Sequence, residues 1–521
     1  MPVGPTLGVA VAAPNELAAV AAEDLARSGG GAVDAAVAAT LVAMVSEPGI
    51  ASLGGGAFVT VQPRSGGAVA IDGNVEMPGR QAPPDAFGRG VRTVTMAYGG
   101  GVETVVGHGS VATPGALAGL AEAHARFGRV PWSAVVAPAA DVARAGFPLG
   151  TASEYYLQHV HDSIYGWHPD SRAALRSAAG ERVVLGDVVR LPRLADSLDL
   201  IALEGAATLY TGGLAEVVAA DMAEHDGLLG ADDLSQYAAS SGPALPVRVR
   251  DWTWSVLPPP SIGGPVLAAM LLLAAERPSD LSPAERTAYL ARVAHAVLRF
   301  RDRELDRAQD RVPPATALLD ALRDDAPAWL ATAALRSPST VHISVVDSDG
   351  TACAVTSSSG YGSGVMTPGT GIWMNNCLGE PELNRRGLHA WTPGTRLPSN
   401  MAPTVGRRDD GAVLAAGSPG ADRITTALLQ VISEVADGAE LTAAVDALRW
   451  HVRLDPAGAD LLELEEGLDV AAVAGLPLRE SRPTSMYFGG VAAALHRADG
   501  RLSAAADPRR TGAVRVVAPS A

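Results

Sequence analysis

Thr340 and His342 lie one residue apart in Thr340-Val-His-Ile-Ser-Val-Val346, a stretch that alternates polar and apolar side chains. Alternation at period two puts both on one face of a strand, with Val341, Ile343 and Val345 on the other. A threonine hydroxyl is a weak nucleophile and needs a base. A cut between Ser339 and Thr340 would supply one, the new α-amine, whose reference pKa is about 7.7–8.0. Such a cut would be intramolecular: the Thr340 hydroxyl would attack the Ser339 carbonyl, and water would cleave the ester. The plain alternative is an ordinary strand threonine, because strands favour β-branched residues. His342 reads either as support for a pocket at Thr340 or as a satisfied buried histidine.

Other reactive groups compete less well. Cys377 has no thiol-protease signature around it, and with Cys353 it makes only two cysteines, too few for a disulfide framework or a cysteine-rich zinc site. His159-Val-His161-Asp162 offers two metal ligands on a strand, but no third is apparent, so no metal is expected. The glycine runs at 29–31, 54–56 and 99–101 do not fit a dinucleotide fingerprint. The chain has no lysine; all 40 basic residues are arginine. That removes Schiff-base cofactor chemistry, the Walker A loop and the S-x-x-K acylases, and no cofactor is expected. A net charge of −16 disfavours nucleic acid and anionic membrane surfaces. No apolar run reaches the roughly 18 residues of a membrane helix. The expectation is a cytoplasmic protein acting on a small molecule. Asp232-Asp233 and Glu465-Glu466 read as solvated surface.

The elements around these residues follow from local pattern. Asn15 caps a helix through Leu25–Ala26 that Gly29–Gly31 stop, and Ala32–Met44 form a second, deeply packed helix of small residues. Segments 59–61 and 68–72 pair as a hairpin around Ser65-Gly-Gly67. Pro265–Ala275 is a buried helix. Ser282-Pro-Ala-Glu285 is a capping box opening a helix to about Arg307. The Thr340 strand turns at Asp347-Ser-Asp-Gly350 and returns through Thr351–Thr356. Another hairpin spans Arg407–Ala416, and a helix spans Arg423–Ala436. Strand and helix blocks of this kind indicate an α+β fold with stacked antiparallel sheets.

Taken together, the motifs resemble the gamma-glutamyltranspeptidases, an N-terminal-nucleophile (Ntn) hydrolase family. The resemblance covers nearly the whole chain. It rests on GGGAVDAAVAA at 29–39, SLGGGAF at 52–58, TPGALAGL at 113–120, PPPSIGG at 258–264 and the Thr340 stretch. It continues in GSG at 362–364, GIWMNN at 371–376, LPSNMAPT at 397–404, GSPGADRI at 417–424 and DPRR at 507–510. The resemblance implies a four-layer αββα sandwich. It implies one precursor cut into a large subunit, 1–339, and a small subunit, 340–521, sharing one core, with higher assembly open. It implies a threonine nucleophile at Thr340 and an oxyanion hole from the backbone N–H groups of Gly420 and Ala421, where the family usually has Gly at the second place. A supporting hydroxyl falls to Thr356 or Ser358, with Ser358 favoured by position.

The recognition residues depart from the family. Its substrate-carboxylate arginine is missing from Ile71-Asp-Gly-Asn-Val-Glu-Met77; Asn74 or Val75 stands there, and Arg80 is the nearest cation. The amine-holding segment reads Asn375-Asn376-Cys377-Leu-Gly-Glu380, with Glu380 keeping the charge. The family's Ser-Ser pair becomes Ser399-Asn400. Arg385 and Arg386 are further carboxylate candidates or solvated loop. The expected function is hydrolysis or transfer of an acyl group through an acyl-Thr340 ester, on a donor other than an ordinary γ-glutamyl compound. Related subgroups act on oxamate, cephalosporin side chains or oxalyl-type groups of secondary metabolism, the last by C–C hydrolysis. The opposing reading is an unprocessed, non-catalytic binding homologue.

Overall fold

The alternating stretch after Thr340 forms the strand Val341–Asp347, which returns as Ala352–Ser358. The computed structural model describes residues 6–97, 101–177, 179–329, 340–454, 459–473 and 475–520. Within these, the hairpin is the centre of a seven-stranded sheet. Its order is Ala513–Val517, Val9–Ala13, Val341–Asp347, Ala352–Ser358, Gly56–Gln62, Val69–Gly73, Ser240–Pro243, all antiparallel. A six-stranded antiparallel sheet runs Leu502–Ala506, Ala492–His496, Val413–Gly417, Thr404–Arg408, Trp252–Val256, Leu245–Val249. Ser339, and with it the expected scissile bond, lies outside the described residues.

Strand alternation assigns the layers. Val341, Ile343, Val345, Cys353 and Val355 point into a helical layer that includes Glu16–Arg27, Ala32–Ser46 and Ala116–Phe127. Val346, Ala352 and Ala354 face the second sheet and pack with Val405, Val413, Ala415 and Ala494. These small side chains let the two sheets close on each other. Helices Gly263–Ala275, Pro283–Phe300 and Arg423–Ala436 cover the far side of the second sheet. The result is the four-layer αββα sandwich.

Local chemistry sets the element ends. The Asn15 side chain accepts from Ala18 N at 3.0 Å. Every residue of Ala32–Ser46 is buried, so this helix has no polar face to present to water. Ser282 and Glu285 form the reciprocal box, with Ser282 N donating to Glu285 Oε2 at 2.9 Å. Among the described residues, no helix is long and apolar enough to cross a membrane.

Two expectations are corrected. The first fifty residues are not only a helix pair: Val9–Ala13 is a strand beside Val341–Asp347. All five of its residues are buried, so no polar alternation marks it. The acidic pairs are not both surface: Asp233 and Glu465 are buried. Asp233 accepts from the backbone N–H of Gly79, Arg80 and Gly230, and Glu465 takes Arg509 Nε at 2.8 Å.

Candidate active site

Thr340 stands at the mouth of the central strand and is 3% exposed. It borders two small cavities of about 30 Å³ each. Asn74, Val75, Ser358, Cys377, Glu380, Ser399 and Asn400 line the front cavity with it. These come from four distant chain segments that meet only in the fold. Glu47, His342, Pro419 and Arg510 line the rear cavity.

His342 lies on the inter-sheet face, opposite Thr356 in the register. Ser344 Oγ donates to the Ala492 carbonyl at 3.0 Å, so it accepts from His342 Nε2–H at 2.8 Å. His342 Nδ1 is thereby the acceptor for the Thr356 hydroxyl at 2.8 Å. Burial pushes the imidazole pKa down to about 3, so the ring is neutral. Gly417 of the second sheet lies against it; a Cβ there would come 2.2 Å from the ring. Thr356 is thus committed to His342, whereas Ser358 reaches the front cavity and its Oγ accepts from Gly360 N at 3.1 Å.

The Gly417-Ser-Pro-Gly-Ala421 loop leads into the helix Arg423–Ala436. Gly420 has φ +114° and Ala421 has φ +69°, both left-handed. That conformation is natural for glycine and strained for alanine. Neither N–H donates to a protein acceptor among the described residues. A Cβ on Gly420 would meet Gly489 Cα at 2.8 Å.

The recognition candidates separate into two groups. Glu380, Ser399, Asn400 and Asn74 line the cavity. Burial, reinforced by the Glu382 carboxylate, pushes the Glu380 carboxyl well above the usual range. Burial first, then Glu380, likewise raises the Cys377 thiol, which disfavours the thiolate a nucleophile needs. Asn74 Nδ2 donates to the Leu397 carbonyl at 2.9 Å. Asn400 is buried, and among the described residues neither its Oδ1 nor its Nδ2 has a hydrogen-bond partner.

Asn376 and Arg80 do not line the cavity. Asn376 Oδ1 accepts from Tyr361 N at 2.6 Å and so pins the neighbouring loop. Arg80 is tied to Glu76 at 2.8 Å and Asp233 at 3.5 Å. Arg396, which the sequence reading passed over, is similarly held by Glu76 and by Asp72 at 3.2 Å. Arg385 Nε donates to the Glu382 carbonyl, and the Arg386 guanidinium stacks over Trp391.

Glu47 was also missed. It is buried, accepts from Asn15 Nδ2 at 2.7 Å and Ser153 Oγ at 3.1 Å, and burial raises its carboxyl pKa. Its only sequence signal was an acid in an otherwise apolar stretch. His161 turns to Asp162 at 2.8 Å, and His159 packs edge-on to Tyr155.

The family model described as gamma-glutamyltranspeptidase matches residues 18–517. A glutathione hydrolase proenzyme of Pseudomonas aeruginosa is 30% identical over 98% of this chain and 95% of its own. An acylase ACY 1 proenzyme of Pseudomonas sp. strain V22 is also 30% identical, over 96% of this chain and 91% of its own. The crystal structure of a cephalosporin acylase from Bacillus halodurans superposes with TM-score 0.82 at 23% identity, covering 99% of this chain and 97% of that one. This last likeness bears on the fold alone.

Proposed function

The chain belongs to the gamma-glutamyltranspeptidase family of Ntn hydrolases, and on that premise we propose that it is a self-processing amidohydrolase whose nucleophile is Thr340. The observation that carries the reading is the front cavity. It gathers a buried threonine at the start of a central strand with Ser358, Glu380, Ser399 and Asn400.

In the precursor, the Thr340 hydroxyl attacks the Ser339 carbonyl, the peptide nitrogen leaves as the α-amine of Thr340, and water hydrolyses the ester. The mature α-amine then takes the Thr340 proton as the hydroxyl attacks the substrate carbonyl. Gly420 and Ala421 N–H groups, without another acceptor among the described residues, stabilise the oxyanion. The amine hands its proton to the leaving group, and water releases the acyl ester. Ser358 orients the nucleophile. His342, neutral and doubly bonded, holds the strand rather than moving protons.

The cavity also supports a donor other than an ordinary γ-glutamyl compound. No arginine is among its described lining residues, since Arg80 and Arg396 are spent on Asp72, Glu76 and Asp233. A substrate carboxylate would lack its charge-assisted pair. Asn400 instead offers a buried donor and acceptor, and leaving both unmade is costly, so a neutral amide-like edge on the acyl group completes them.

Intact-mass analysis tests the processing. We expect fragments of 339 and 182 residues from the 521-residue chain. The T340A variant should stay whole and inactive. Active wild-type protein with an unbroken chain would sink the mechanism. For the substrate, γ-glutamyl anilide should be hydrolysed far more slowly than oxamoyl or cephalosporin-type amides; the reverse ranking refutes the pocket reading.

A further inference from the structure

A second cluster lies outside the catalytic cavity. His108 sits in a tight turn after the strand Val102–Val106. Asp221 and His225 lie one helical turn apart at the end of Gly213–Glu224. One ligand atom from each of the three falls within 4.8 Å of the others. Asp221 Oδ1 is 3.5 Å from His108 Nε2 and 3.2 Å from His225 Nδ1. The edge of a tetrahedron of N/O donors around zinc is roughly 3.3–3.4 Å, given bonds of about 2.0–2.1 Å.

The cluster is unresolved as a purely protein arrangement. The side chains of His108 and Asp221 are 5% and 3% exposed. Among the described residues neither Asp221 carboxylate oxygen nor His108 Nε2 makes a hydrogen bond, and the same holds for Nδ1 of buried His168. The His168 ring centroid is 6.1 Å from that of His108. A buried carboxylate without hydrogen bonds is costly. A divalent cation satisfies it and His108 Nε2 at once.

We propose that His108, Asp221 and His225, with water completing the tetrahedron, form a zinc-type divalent metal site. His225 is 46% exposed and supplies the way in. Its ring now stacks on His108 at 4.4 Å while its Nδ1–H donates to the Asp221 backbone carbonyl at 2.9 Å, and metal binding exchanges that hydrogen bond for a turned ring whose nitrogen lone pair meets the ion. The site is structural. The Leu378 N–H donates to the Ser110 carbonyl at 3.2 Å, and Thr104 Oγ1 donates to the Gly379 carbonyl at 2.9 Å. The metal therefore clamps the hairpin that braces the Cys377–Glu380 loop to the helix carrying Asp221.

The test uses the full-length protein, stripped with a chelator, dialysed and titrated with zinc or cobalt(II) chloride. One equivalent per chain should bind, cobalt should show the visible bands of a tetrahedral site, and zinc should raise the melting temperature. Asp221→Asn and the half-exposed His225→Ala should each weaken zinc binding by about tenfold or more. His159→Ala, outside the cluster, should bind as wild type does. Failure of the stripped wild type to take up either ion overturns the proposal, as does equal zinc affinity in wild type and both cluster variants.

Discussion

At the scale of single residues, two side chains sit where their chemistry conflicts with their surroundings. Ala421 occupies a left-handed backbone position, φ +69°. Ala421→Gly should stabilise the protein by roughly 1 kcal/mol by removing that strain, and should leave the backbone N–H in place. A denaturant midpoint and the rate of chain cutting check both halves; a lower midpoint refutes the strain argument. His342 has its pKa pushed down to about 3 by burial, against an ordinary 6.5. Between those values the unfolded chain binds a proton that the folded chain refuses. This contribution is therefore complete above pH 6.5 and is lost as pH falls towards 3. The urea midpoint of wild type should drop more between pH 7 and pH 5 than that of His342→Gln; equal drops would show that another group carries the acid sensitivity. Because His342 stays neutral, the acid limb of kcat/KM should report the Thr340 α-amine instead.

At the scale of elements, the site depends on how closely the two sheets approach behind Thr340. Gly417 is the contact point, because a methyl there would overlap the His342 ring at 2.2 Å. Both partners are in strand registers fixed by neighbours, His342 opposite Thr356 and Gly417 opposite Ala492, so neither yields cheaply. Gly417→Ala should slow self-cutting by at least about tenfold through displacement of the Thr340 strand, on the scale of 1.4 kcal/mol. Wild-type cutting rates by intact mass, in protein shown to be folded, would refute this. The elements themselves were mostly legible. The hairpin at 341–358 announced itself because one face is apolar and the other holds Thr340, His342 and Ser344. The strand Val9–Ala13 did not, because burial on both faces removes the alternation. Cavity membership was legible only where a motif fixed it. Arg80 is near Asn74 in sequence, yet its guanidinium is held by Glu76 at 2.8 Å and by Asp233, far along the chain, at 3.5 Å. The metal-type cluster left a faint trace, Asp221 and His225 at i and i+4, while His108 joins them only through the fold.

At the scale of the whole molecule, the proposed cut falls between strands that the fold interleaves. Val341–Asp347 and Ala352–Ser358 lie after the cut, and their neighbours Val9–Ala13 and Gly56–Gln62 lie before it. In the second sheet Thr404–Arg408 pairs with Trp252–Val256, again across the cut. Ala513–Val517, near the chain's end, adds to Val9–Ala13 near its start. Each fragment alone would expose the apolar faces and unpaired strand edges that the other covers. Cutting therefore makes two chains but not two domains. The fragments should elute as one species by native size exclusion and separate only in denaturant. Residues 340–521 produced alone should lack cooperative unfolding, and adding them to separately produced 1–339 during refolding should restore it. A stably folded, monomeric 340–521 would contradict the shared core and, with it, the view that cutting frees an amine without rearranging the scaffold.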